Sequence, residues 1–242
     1  EPMPERTIHK TTGTGTTAHY LSDYDDARRQ FSWEGARRAL CGAPHQHLNI
    51  AHESVDVQVE TGHGQRVAAR FIARDWRRVD VTYAELRDLT SRFANVLGAL
   101  GIAPGAAVAT LLGRVPELFT SGLGTLKAGG VFCPLFSAFG PEPLKTRLQL
   151  GHVQVLVTTQ DLYRRKVAGI RTALPELRHV LVVRENADGD LLPDTVDFAL
   201  LMSRASEMFA TAPTADGDTA LLHFTSGTTG KPKGVTLTHA AV

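Results

Sequence analysis

The stretch "VFCPLFSAFGPEPLKTRLQLGHVQVLVTT", residues 131–159, places two apolar runs on either side of a segment with a different rhythm. VFCPLF and VQVLVTT are short, apolar and bounded by turn residues, as buried strands are. PEPLKTRLQLG between them reads as a helix. Strand, helix and strand in that order form a βαβ unit, whose two strands run parallel.

The same alternation continues outward. On the N-terminal side, Thr82 and Glu85 form a T-x-x-E capping box. Leu86, Leu89, Phe93, Val96, Leu97 and Leu100 then fall on one helical face. Gly101 ends that helix and Pro104 prevents its continuation. AAVATLLG follows as a strand. Pro116 and Glu117 open a second helix that ends at Gly129, with Leu118, Leu123 and Leu126 inward. On the C-terminal side, DLYRRKVAGIRTAL is expected to be helical and RHVLVV a strand. The expected fold class is therefore α/β, a largely parallel sheet with helices on both faces.

Farther out the pattern weakens. Residues 1–20 are rich in Thr, Gly and Pro and are expected to be poorly ordered. Residues 23–40 read as one helix that docks Phe31, Trp33 and Leu40 on a core. HGQRVAARFIARDWRRVDVTY reads as short strands flanking a turn. ENADGDLLPD resembles a calcium loop at Asn186, Asp188 and Asp190. It has no glycine at the sixth place and no Glu at the twelfth, so it is read as a turn.

Composition excludes several classes. The chain has 242 residues, 26 Lys plus Arg against 25 Asp plus Glu, and a net charge of +1. That balance provides no field to hold nucleic acid or an anionic membrane. The arginine pairs 28–29, 37–38, 77–78 and 164–165 are scattered and read as solvated faces. No apolar run has the length of a membrane span. Two cysteines, Cys41 and Cys133, lack metal-type spacing and fit a reducing, cytoplasmic setting. His45, His47 and His52 have loose metal-like spacing without supporting acids or cysteines, and are read as a surface loop. His223 is read as a strand histidine.

The chemistry concentrates in FTSGTTGKPKGV, residues 224–235. Residues 225–234 carry four hydroxyls, three glycines and two lysines without an acid. TALLHF before and VTLT after read as strands, so the segment is the turn of a wide hairpin. Glycines let successive backbone N–H groups share one concavity, and hydroxyls and ammonium groups add donors. Such a set suits a polyphosphate. It is no P-loop: Thr225 stands where the first glycine belongs, and Pro232 follows Gly230-Lys231 where Ser or Thr is required.

TSGTTGKPKG closely resembles the phosphate-binding motif of the adenylate-forming (AMP-binding) superfamily, without a departure. The resemblance extends over VTYAELRDLTSRFANVLGALGIAPGAAVATLLGRVPELFTSGLGTLKAGGVFCPLFSAFGPEPLKTRL. PLFSAFGPE and LYRRKVAGIRTALPELRHVLVV are most similar to the acetyl-CoA synthetase branch. The resemblance implies that residues 21–78 are N-terminal cap helices and short strands. It implies that residues 79–242 are the first part of the AMP-binding domain, within the large N-terminal domain of an adenylate-forming enzyme. It further implies ATP with Mg2+, coenzyme A and a small carboxylate as ligands. Phosphate contacts fall to Thr225, Ser226, Gly227, Thr228, Thr229, Gly230 and Lys233, with Lys231 weaker. Arg164 is the nearest match to a coenzyme A contact, at an altered local spacing; a solvated arginine is the alternative.

In the family, the adenine, ribose, hinge and catalytic-lysine motifs follow this loop, and the chain stops at LTHAAV. The expectation is a fragment of a short-chain acyl-CoA ligase, inert alone. Its partner would be the missing C-terminal part of the polypeptide or a second copy. A carrier-protein-loading relative and a shortened non-catalytic binding protein are the alternatives.

Overall fold

The computed structural model describes residues 23–40, 47–73, 75–184, 190–226 and 232–242. Residues 1–20, Cys41, His45, Asn186, Asp188 and 227–231, which carry several of the expectations above, lie outside the described residues.

The described residues up to Leu40 and those from His47 onward belong to two compact units. In the first, the single helix expected over 23–40 is two: α1 (Tyr24–Gln30) and α2 (Trp33–Ala39). Ser32 causes the break, because its Oγ accepts the Gly35 N–H and starts a new helix, as Asp23 does for α1. Neither helix has a buried residue, so the docking expected of Phe31 and Trp33 is not met within this unit. Their rings instead meet edge to face, with centroids 5.1 Å apart.

The second unit begins with helical residues 50–63, which sequence analysis left without an element. Val55, Val57 and Val59 alternate at the period of a strand, yet the backbone coils into two π-helical turns, His52–Asp56 and Val59–His63. Buried Asn49 organises the entry. Its Oδ1 accepts from the Ala51 N–H at 3.0 Å, while its Nδ2 donates to the Leu126 carbonyl at 2.8 Å. The strands β1 (Val67–Ile72) and β2 (Arg78–Thr82) then pair antiparallel, as expected. Ala68, Phe71 and Val81 pack beside Val55 and Leu86.

Thr82 caps α3 (Tyr83–Ala99) with the reciprocal capping box read from sequence. Gly101, at φ +68°, makes the left-handed exit that a side chain would resist. The strand β3 (Ala107–Leu111), α4 (Pro116–Lys127), β4 (Val131–Pro134), α5 (Pro141–Leu150) and β5 (Val153–Thr159) follow in the predicted alternation. Next come α6 (Gln160–Leu162), a π-helical turn Tyr163–Val167 and a 3-10 stretch Ala168–Ala173. One helix was expected here; the pitch changes along it instead, and Tyr163, Val167 and Ile170 enter one core cluster. The chain closes with β6 (His179–Val183), β7 (Val196–Asp197), α7 (Phe198–Arg204), β8 (Thr219–Ser226) and β9 (Pro232–Thr238). Sequence analysis missed β7 and α7, although Asp197 accepts the Leu200 N–H as an N-cap.

Among the described residues seven strands form one sheet in the order β7-β6-β5-β3-β4-β8-β9, parallel throughout except for the last pair. The alternation of strand residues divides the core. Ala107, Ala109, Leu111, Val180 and Val182 face α5 and the 160–173 segment through Leu144, Leu148 and Val167. Val108, Val155, Val157 and Leu181 face α3 and α7 through Phe93, Leu97 and Phe198. The helices α3 and α4 approach closely: a Cβ on Gly124 would stand 2.8 Å from Phe93 Cβ and 2.9 Å from the Thr90 carbonyl.

Buried Lys127, at the end of α4, donates to Asp56 Oδ1 at 2.6 Å and Ser91 Oγ at 3.2 Å. Burial pushes its ammonium below the usual lysine range, and the Asp56 carboxylate opposes that shift. His239 Nδ1 accepts the Ile50 N–H at 3.2 Å, tying the chain's end to the start of the 50–63 helix.

Candidate functional site

The hairpin β8–β9 is built to hold one face down and leave the other open. Phe132 of β4 is level with Leu221 of β8; β4 ends at Pro134, whereas β8 continues to Ser226. The hairpin therefore overhangs the carboxyl edge of its parallel neighbour by three residues, about 10 Å at the rise of a strand. Ligands of open α/β sheets settle outside such carboxyl ends.

Register decides which side chains share a face. Leu222 pairs with Thr236 and Phe224 with Gly234, and both Leu222 and Phe224 pack into the cluster beneath α5. The other face presents His223 beside Val235 and Thr225 beside Lys233, all four exposed. Directly opposed residues of an antiparallel pair have Cβ atoms about 5 Å apart. Thr225 and Lys233 thus leave a supported, open surface side by side. Ser226 and Pro232 close the ladder. Gly227, Thr228, Thr229, Gly230 and Lys231, the tip between them, fall outside the described residues.

Arg164 stands exposed on the turn Tyr163–Val167, just beyond the carboxyl end of β5. It shares the hairpin's edge without meeting it. Strands β3 and β4 intervene, so β5 and β8 are three strand spacings apart, about 14 Å.

Between them lies the loop that follows β4, whose part sequence analysis did not find. Phe136 is 65% exposed, and its ring meets Phe139 edge to face at 5.7 Å. Lys166 Nζ donates to the Ser137 carbonyl at 2.6 Å and to the Phe139 carbonyl at 2.9 Å. Arg147 Cζ sits 4.1 Å from the centre of the Phe139 ring and 5.9 Å from that of Phe224. The Lys166 and Phe224 contacts join residues far apart in the chain, and no local pattern announces them.

Two larger concavities lie elsewhere. One of about 870 Å³ is lined by His52, Asp56, Ser91, Lys127 and Thr211. A second of about 740 Å³ borders Gly105, Val131, Gly151 and Thr219, at the amino ends of the strands. In the first, Lys127 and Asp56 answer each other's charge, and Thr211 Oγ1 donates to Asp56 at 3.0 Å. Lys127, Asp56, Ser91 and Thr211 are thus paired among themselves.

Other candidates recede. Burial pushes the Cys133 thiol up to about 12, so it carries no thiolate at neutral pH. Among the described residues no group of three His, Cys, Asp or Glu side chains is placed to hold a metal. No helix among them is long and apolar enough to cross a membrane.

Comparison with known proteins bears on the family and the fold. Residues 56–242 match the family described as AMP-binding enzyme. Acetyl-coenzyme A synthetase of Bacillus subtilis is 33% identical over 226 residues, covering 93% of this chain and 38% of the relative. The Streptomyces coelicolor acetyl-coenzyme A synthetase is 34% identical over 199 residues, covering 78% of this chain and 30% of its own length. Among solved structures, an acyl-CoA synthetase of Brucella canis superposes with a TM-score of 0.79 at 32% identity. That match covers 90% of this chain and 38% of the other.

Proposed function

Since this chain belongs to the AMP-binding enzyme family, we propose that it supplies the polyphosphate-holding part of an ATP-dependent ligase joining a short carboxylate to coenzyme A. Carboxylates are poor electrophiles. Attack of the carboxylate oxygen on the α-phosphorus of ATP expels pyrophosphate and leaves an acyl-adenylate. The thiol then attacks the acyl carbon and AMP departs. Negative charge builds on the leaving pyrophosphate in the first step, and donors fixed beforehand lower the barrier without reorganising.

In this reading Thr225, Ser226, Gly227, Thr228, Thr229, Gly230 and Lys233 hold the β- and γ-phosphates, with Lys231 contributing less. One observation carries the proposal: Thr225 and Lys233 are paired on the open face of a hairpin that overhangs the carboxyl edge. Arg164, on the same edge, is proposed to meet the nucleotide part of coenzyme A. The described residues offer Mg2+ no carboxylate set, so no step here is routed through it. The 242 residues alone are expected to make no acyl-CoA, because they span 38% of the Bacillus relative.

ATP–pyrophosphate exchange by the full-length enzyme tests this. A short carboxylate should support exchange, and Lys233→Ala and Thr228→Ala should each slow it about 10²-fold, the usual cost of losing one preorganised donor. Exchange supported only by an amino acid, or normal turnover in both variants, defeats the proposal.

A further inference from the structure

Arg147 is placed unusually. It projects from α5, half-buried, and among the described residues no carboxylate pairs with it. Nη1 donates to the Pro143 carbonyl at 2.9 Å, and Nε is buried without an acceptor. The guanidinium is accommodated by aromatic faces, 4.1 Å from the centre of Phe139 and 5.9 Å from that of Phe224. Arginine suits this because its charge is planar, delocalised and weakly hydrated; a lysine ammonium would lose more solvation and has no planar face to stack.

The two rings belong to different working parts. Phe224 immediately precedes Thr225 and anchors the closed face of the hairpin. Phe139 belongs to the loop after β4, whose Ser137 and Phe139 carbonyls are gripped by Lys166, two residues from Arg164. The contacts run from the hairpin through Phe224, Arg147, Phe139 and Lys166 to the Arg164 turn. We propose that Arg147 is a positioning residue coupling the β8–β9 hairpin to loop 135–140, so that polyphosphate bound at the hairpin tightens the loop and the turn clamped to it. This rests on the reading that the hairpin holds polyphosphate. The coupling is reciprocal: whatever orders the loop also strengthens polyphosphate binding.

Hydrogen exchange of the full chain, with and without ATP, separates the two ideas. In the wild type, ATP slows exchange in residues 219–226 and 232–238 and also in 135–140. Arg147→Lys keeps the charge and Arg147→Met keeps the stem, and both lose the stack. In both, slowing at the hairpin persists while slowing at 135–140 falls about fivefold, the lower range of measured couplings. Phe139→Leu removes the ring but spares the Arg147 bond to Pro143, and gives the same loss should Arg147→Met fail to fold. A structural role alone would change exchange without ATP and leave the ATP-induced difference intact. Slowing at 135–140 that survives in Arg147→Lys and Phe139→Leu overturns the coupling, as does a wild-type loop that ignores ATP while the hairpin responds. A hairpin that does not respond in the wild type instead removes the polyphosphate reading, and the coupling with it.

Discussion

Strands β3 and β5 and the hairpin β8–β9 lie in one sheet and face opposite demands. Val108, Ala109, Val155 and Val157 are all fully buried, because helices cover both faces of the sheet there. On the hairpin, Leu222 is buried and Phe224 partly so, while His223, Thr225 and Lys233 are exposed. A strand held on both sides has no surface to offer. A strand held on one side keeps its backbone fixed and its other face free, which a charged ligand needs. Rigidity under the site and openness over it come from the same two-residue period.

The comparison breaks first in the core. Phe93→Ala removes a fully buried ring from between α3 and the sheet, where it stacks on Phe198 with centroids 5.8 Å apart. Urea unfolding should show a loss of about 3–5 kcal/mol. A loss below about 1 kcal/mol would mean that the two-sided core is far looser than its burial implies.

A smaller effect sharpens the picture at the hairpin's far end. His239 and His179 both sit below the ordinary imidazole value of 6.5, chiefly because burial disfavours the charged ring. For His239, Asp218 pulls the other way. The unfolded chain therefore takes up these protons more readily than the folded one. The stability the two contribute is complete above pH 6.5 and is lost as pH falls through the lower folded values. The urea midpoint should decline as the solution is acidified below pH 6.5. His239→Gln, whose amide oxygen can still accept the Ile50 N–H, should flatten part of that decline. An unchanged slope in this variant would assign the acid sensitivity to other groups.

The smallest effect is the most telling. Lys233→Ala on the open face should alter unfolding stability by no more than about 0.5 kcal/mol, while ATP protection of the hairpin in hydrogen exchange weakens. A large stability loss would show that Lys233 is part of the scaffold and not of the site.

Much of this was legible in order along the chain. The Thr82–Glu85 box, the Gly101 exit and the proline starts of α4 and α5 are local signals: side-chain hydrogen bonds realise the first, and the prolines stand where the helix needs no N–H. The paired flanks of 224–235 were legible for the same reason. Residues 50–63 were not: their valines alternate as in a strand, and only burial of Val55 and Val57 with the Asn49 anchor selects a helix. The split at Ser32 was also hidden, because the break depends on a hydroxyl competing for one backbone N–H.

The sequence by itself determined the alternation of strands and helices, the hairpin and the acid-free, donor-rich tip, since each depends on neighbours within a few residues. Tertiary structure alone decided that Thr225 and Lys233 share an open face, that β8 overhangs β4, and that Arg147 stands against rings from two separate segments. Those facts depend on register and packing between distant stretches, and the free energy that fixes them comes from surfaces that meet only once the chain has folded.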